Sequence, residues 1–186
     1  WTVFDCNWKV ALEAFNETYH VAGTHPEFMA FGDFTGWGRA QGKHSHIGYD
    51  LPKDADPTLG ENKGKLRLGS GDPRVATAEM QKYTWEGVNT NTTQTLYEVA
   101  QTLPDVLPES TPPEEVLKYW LETARAKDAA RGVIWPTVDT AHTAASGTSW
   151  QIFPNQQIGH AVNKMLCYQA RPYGYNPDKC YFEVAV

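Results

Sequence analysis

The sequence predicts an α+β domain, and three observations point there. Apolar residues recur at helical spacing near the start, a capped helical stretch lies in the middle, and the segment from Ser149 onward reads as consecutive strands. Helices segregated in this way from neighbouring strands imply an antiparallel sheet with flanking helices.

Trp8, Leu12, Phe15 and Tyr19 make one apolar stripe, so a single helix is expected over residues 7–21. Asp5 or Asn7 can cap its start, and Gly23 followed by Pro26 is expected to end it. Residues 28–50 alternate aromatic and polar residues among glycines, which suits two strands with bends. Residues 51–74, rich in Pro, Gly, Asp and Lys, read as a surface loop beside a short strand at Lys65–Leu68, and residues 75–102 read as mainly helical. Four prolines make Leu103–Pro113 a connector. A helix is predicted over Pro113–Arg131, signalled by Thr111-Pro112-Pro113-Glu114-Glu115, with Val116, Tyr119, Trp120 and Thr123 as its apolar face. Strands follow at Ser149–Phe153, Gln157–Val162, Met165–Arg171 and Cys180–Val186, with Gly174-Tyr175-Asn176-Pro177-Asp178 as the last turn. The sequence opens at Trp1 without a leader and stops in strand-like sequence. It therefore reads as a piece truncated at both ends, whose final strand is expected to present an unpaired edge.

The 186 residues carry 16 basic and 22 acidic side chains, a net charge of −6. Such a balance argues against nucleic acid or an anionic membrane surface as partner. No apolar run exceeds four residues, too short for a membrane-spanning helix. The 7 Trp, 9 Tyr and 7 Phe suit a large apolar interior or pocket. Cys6, Cys167 and Cys180 are odd in number and lack C-x-x-C spacing, so they read as thiols in a reducing, cytoplasmic compartment. A Cys167–Cys180 bridge across a hairpin is the other pairing considered.

His20 and His25 are five positions apart, roughly 140° around a straight helix. They could share a metal only if the chain broke between them, and Gly23 and Pro26 provide such a break. Two histidines with a carboxylate and open positions is the pattern of non-haem Fe(II) sites, whereas a zinc peptidase needs H-E-x-x-H and has no place for Val21. Spacing alone leaves a ligand pair and ordinary helix-end histidines both open. His44-Ser45-His46 places two rings on one strand face, as pocket lining or as a metal pair; His142 and His160 read as structural. Asn16-Glu17-Thr18 and Asn91-Thr92-Thr93 match glycosylation acceptors but carry little weight without a secretory signal. No P-loop, G-x-G-x-x-G or G-x-S-x-G occurs.

The run Asn7-Trp8-Lys9-Val10-Ala11-Leu12-Glu13-Ala14-Phe15-Asn16-Glu17-Thr18-Tyr19-His20, continued to His25-Pro26, resembles the catalytic-domain entry of Rieske non-haem iron oxygenase large (alpha) subunits. Ala14 departs from the Asn usual there. Ile152-Phe153-Pro154-Asn155, Arg171-Pro172-Tyr173 and Pro177-Asp178-Lys179-Cys180 are also similar to the family. The resemblance implies a helix-grip fold, a curved antiparallel sheet wrapped around a helix, with residues 1–186 as a partial mononuclear-iron domain. It implies His20 and His25 as Fe(II) ligands, and Glu17 as the acidic residue that bridges the iron site to the cluster-bearing domain of a neighbouring subunit. A third ligand, a carboxylate, is expected beyond Val186.

The C-x-H and C-x-x-H pairs of a [2Fe-2S] Rieske domain do not occur in these residues, so that domain is expected elsewhere. The implied chemistry is hydroxylation of an apolar, aromatic substrate with O2. Electrons would come from NADH through a reductase, with or without a ferredoxin, in a homo-oligomeric (trimeric) parent enzyme. This chain alone is expected to hold iron poorly and not to turn over. The reading set against it is a metal-free module of the same fold that binds a hydrophobic ligand.

Overall fold

Strand alternation dominates the first of two compact units into which the chain divides, residues 1–25, 34–63 and 138–186; residues 26–33 and 64–137 form the second. The computed structural model describes residues 1–24, 35–50, 72–88, 92–139, 142, 145–160 and 163–185.

In the first unit, β1 (Thr2–Phe4), β2 (Thr35–Gln41), β3 (His44–Asp50), β4 (Ser149–Ile152), β5 (Gln156–His160), β6 (Met165–Tyr173) and β7 (Asn176–Ala185) pair antiparallel in the order β1-β7-β6-β5-β4-β3-β2. The predicted α+β class and the four C-terminal strands are present. The last turn is shorter than expected. Gly174, at φ +56°, supplies the left-handed conformation of a two-residue hairpin turn, and Asn176-Pro177-Asp178 already belong to β7. β7 is not an open edge either. Thr2, Val3 and Phe4 pair with Phe182, Tyr181 and Cys180, a strand too short to announce itself in the sequence. Cys167 lies opposite Ala185 and Cys180 opposite Pro172, so the two do not bridge. All three cysteines are free thiols, and burial together with neighbouring Cys6 pushes the Cys180 thiol up.

The single helix expected over residues 7–21 is two. α1 (Trp8–Glu13) is capped by Asn7, whose Oδ1 accepts from Lys9 N at 3.0 Å while its Nδ2 donates to Pro177 O at 3.1 Å. α2 spans His20–Thr24. Leu12 is fully buried on Ala170 and Phe182, with Trp8, Phe15 and Tyr168 around it. Tyr19, beyond the interruption, leaves the predicted stripe and is 80% exposed. Gly23 lies within α2, while Pro26 of the expected break, the expected Lys65–Leu68 strand, most of the 51–74 loop and residues 28–34 of the first expected strand lie outside the described residues.

In the second unit, α3 (Pro73–Tyr83) runs into a π-helical turn at Thr84–Val88, followed by α4 (Gln94–Val106) and α5 (Pro113–Ala130). The described part of residues 75–102 is mainly helical, as expected, in two helices rather than one. The connector is shorter than its prolines suggested, because α4 tolerates Pro104 in its last turn. The Arg74 guanidinium caps the end of this helix, donating to the Pro104 and Leu107 carbonyls, which lie where the helix has run out of N–H donors, while Asp72 holds it from the other side. α5 matches its predicted span, but Val116, Trp120 and Ala124 face the core with Leu96, Val99, Ala100 and Leu103. Tyr119 is exposed and Thr123 only half-buried, because the i, i+4 row from Val116 meets α4 and the adjacent row does not.

Asp128 closes that core at 3% exposure. Its carboxylate accepts from Thr95 Oγ1 and Trp135 Nε1, each at 2.7 Å, and pairs with Arg131. Burial pushes the carboxyl up, but those hydrogen bonds outweigh it and hold Asp128 below the ordinary carboxylate range. A depressed folded-state pKa gives stability that is full above the unfolded value, about 3.9, and is lost as pH falls through the folded value. Urea-unfolding midpoints should therefore drop on acidification below about pH 4, and Asp128→Asn should flatten that drop. Asp128→Ala, which strands buried donors, should cost about 3 kcal/mol at neutral pH. In the sheet unit Leu12→Ala should cost about 2–5 kcal/mol, read as a lowered Tm, since it empties a fully buried site between α1 and β6–β7.

Candidate metal centre

The segment between α1 and α2 carries Glu17 and leads into His20, the first residue of α2, and the sheet determines its path. Phe15 O, which in a continuous helix would accept from Tyr19 N–H, instead accepts from Gln157 Nε2 on β5 at 2.8 Å. Asn16 Nδ2 donates to Gln151 Oε1 on β4 at 2.6 Å, and Asn16 Oδ1 accepts from Ser45 Oγ on β3 at 2.5 Å. Thr18 presses on β2 at Gly36, where an added Cβ would lie 2.1 Å from Thr18 Oγ1. Four strands thus hold three of the residues that interrupt the helix.

Released from a helical path, the Glu17 carboxylate folds onto the start of α2. Oε2 accepts from His20 N at 2.8 Å, so Glu17 caps α2 from three residues upstream. Oε1 lies 2.8 Å from His20 Nδ1, and the Glu17 carbonyl oxygen 3.0 Å from the same nitrogen. Both oxygens only accept, so Nδ1 carries the proton and the lone pair of the neutral ring sits on Nε2. This is the tautomer that metal-ligating histidines adopt, with the other nitrogen held by a carboxylate or carbonyl. Burial, with the Glu17 charge nearby, pushes the half-buried Tyr49 phenol up, and Tyr49 lies opposite Gly36 on β3.

Of the residues singled out in the sequence, the structure brings Glu17 and His20 together, though not as successive turns of one helix. His25 lies outside the described residues. Among the described residues no group of three or more His, Cys, Asp or Glu side chains is arranged to hold a metal ion. The donor chemistry of His20 fits an iron-ligating imidazole.

His44 and His46 share a face of β3 but do not make a metal pair. His46, 3% exposed, stacks on Trp150 at 4.4 Å, meets Trp37 edge-on and donates from Nδ1 to Ser146 O at 2.9 Å. His44 Nδ1 accepts from Phe153 N at 3.2 Å. His142 pairs with Asp139, and His160 Nε2 lies 3.3 Å from Ser146 Oγ.

Gln157, Gln151, Ser45 and Asn16 escaped the sequence reading, because nothing local marks a polar strand residue that faces inward. Gln157 is fully buried, donates also to Ser149 Oγ at 2.5 Å, and among the described residues has no donor for its Oε1. An unpaired buried acceptor costs about 1–3 kcal/mol.

Among the described residues no helix is long and apolar enough to cross a membrane. No curated protein and no solved structure matches the chain. The family model described as ring hydroxylating alpha subunit (catalytic domain) matches residues 2–186, nearly the whole length, and the chain belongs to that family.

Proposed function

We propose that this chain forms part of the mononuclear Fe(II) domain of an aromatic-ring-hydroxylating oxygenase, an oxidoreductase built on a helix-grip fold. The observation that carries the reading is the Glu17–His20 contact, which sets the His20 tautomer and aims its Nε2 lone pair. His20 and His25 are the two imidazole ligands, completed by a third, carboxylate ligand. Fe(II) held there supplies the centre at which O2 is activated beside an apolar aromatic substrate. The chain's own part is to present neutral imidazole, to hold it against rotation through Glu17, and to keep the Glu17 charge next to the metal ligand. Electrons reach the parent enzyme from NADH through a reductase, with or without a ferredoxin. They then pass through a [2Fe-2S] cluster on a domain whose ligand pairs these 186 residues lack. In that scheme Glu17 is the link toward the cluster domain of a neighbouring subunit in a cytoplasmic trimer.

Iron analysis of the parent enzyme tests this assignment. His20→Ala and His25→Ala should each abolish stoichiometric iron, and Tyr19→Phe, on an exposed ring, should not. Glu17→Gln keeps the shape and one acceptor. It should leave iron content near normal while product formation falls strongly. Iron retained in both histidine variants would overturn the ligand assignment, an unmodified parent that holds no iron would leave a metal-free ligand-binding module as the better reading, and iron lost in Glu17→Gln would move that carboxylate onto the metal.

A further inference from the structure

Gln157 on β5 is chemically out of place. Its side chain is fully buried, both of its amide protons are used, and its oxygen has no donor among the described residues. A methionine would fill similar space without a polar atom to leave unpaired. An amide that is only half satisfied therefore points to a requirement for its protons. One proton goes to Ser149 Oγ on the neighbouring strand and adds nothing to the sheet ladder. The other goes to Phe15 O, the carbonyl that would otherwise carry α1 onward toward Tyr19.

We propose that Gln157 is a positioning residue for the His20 metal ligand. α1 ends in two i→i−3 bonds, and by anchoring the Phe15 carbonyl just beyond them Gln157 holds the turn in which Glu17 can reach both His20 N and His20 Nδ1. The inference rests on His20 being a ligand, but its first link, from Gln157 to the Glu17–His20 turn, is independent of any metal. The clasp through Asn16, Gln151 and Ser45 acts one residue later and through side chains. Gln157 instead engages the backbone, at the carbonyl that follows the two i→i−3 bonds, Phe15 N–H to Leu12 O and Asn16 N–H to Glu13 O, with which α1 ends.

The test begins on the unmodified protein by NMR. Gln157 side-chain amide protons should exchange at least tenfold more slowly than those of an exposed glutamine; free exchange would overturn the proposal without any variant. In Gln157→Met, the His20 backbone amide, which donates to Glu17 Oε2, should lose protection at least tenfold. Amides of the β5–β6 pairing should keep theirs, and Ser149→Ala should leave His20 unchanged. Unchanged His20 exchange in Gln157→Met would overturn the proposal.

Co(II), titrated alone and read by its visible absorption, supplies the second link. Its Kd should rise at least tenfold in Gln157→Met, with Gln157→Leu, which likewise has no donor, behaving the same way. Faster His20 exchange with Co(II) affinity unchanged in Gln157→Met but lost in His20→Ala would overturn the positioning role and leave the ligand assignment standing. Co(II) affinity untouched by His20→Ala would overturn the ligand assignment, and this inference with it.

Discussion

The capture of a single backbone carbonyl just past the end of α1, Phe15 O, by Gln157 on β5 is the constraint on which the rest of the candidate site depends. A helix that has begun costs little to extend, since each added residue gains a hydrogen bond. Residues 14–19 contain no glycine or proline that would stop it. The interruption is imposed by tertiary contacts. Asn16 is tied to β3 and β4, Phe15 stacks on Tyr168 at 4.3 Å, and the carbonyl goes to β5. Once the ladder is broken, α2 needs a new start, and the Glu17 carboxylate supplies it by accepting from His20 N. Capping α2 and orienting the imidazole are thus two consequences of one side chain's position. The site's geometry is linked in this way to the packing of α1 on β6 and β7.

What could be read from the sequence follows from how local each signal is. α5 was legible nearly to the residue because Pro112-Pro113-Glu114-Glu115 is a start signal that acts within one turn. Its buried row was not, because whether Val116–Trp120–Ala124 or the row through Tyr119 and Thr123 faces inward depends on where α4 lies. β4 to β7 were visible through alternation, whereas β1 has three residues and exists because β7 offers it an edge. Pro104 looked like a helix stop, but α4 carries it within its last turn, and the carbonyls at that helix end are met by Arg74, thirty positions away, which local sequence does not announce. The Glu17–His20 pair was named through a motif, but by the wrong geometry. Spacing suggested one helical face, while the contact is made by a carboxylate folded back over a helix start. Gln157 had no signal at all, since its role needs the register of β5 against β4 and the height of α1 above the sheet.

The two units solve the problem of buried polarity in opposite ways. In the helical unit Asp128 is saturated by Thr95, Trp135 and Arg131, so its charge is retained at low exposure. In the sheet unit the polar row beneath the α1–α2 connection is incompletely satisfied at Gln157 Oε1. A saturated network favours one rigid arrangement. A partly satisfied one is a local cost, and costs of that kind gather where backbone must depart from its regular path. The position of the orphaned acceptor, directly under the turn that carries Glu17, fits that rule.

The same reasoning explains why a glutamine suits position 157 better than a charged residue of similar shape. Glutamate would present two acceptors to Phe15 O and Ser149 Oγ. It would face a carbonyl with like partial charge and would have to be protonated to remain buried. Lysine could donate to Phe15 O but would bring an unpaired charge into a site with no exposure, close to the segment proposed to present a metal ligand. The amide alone donates twice without net charge, at the cost of an idle oxygen. Charge is thereby confined to Glu17, the carboxylate in contact with His20, and the sheet beneath controls the path of the backbone without adding to the field around the imidazole.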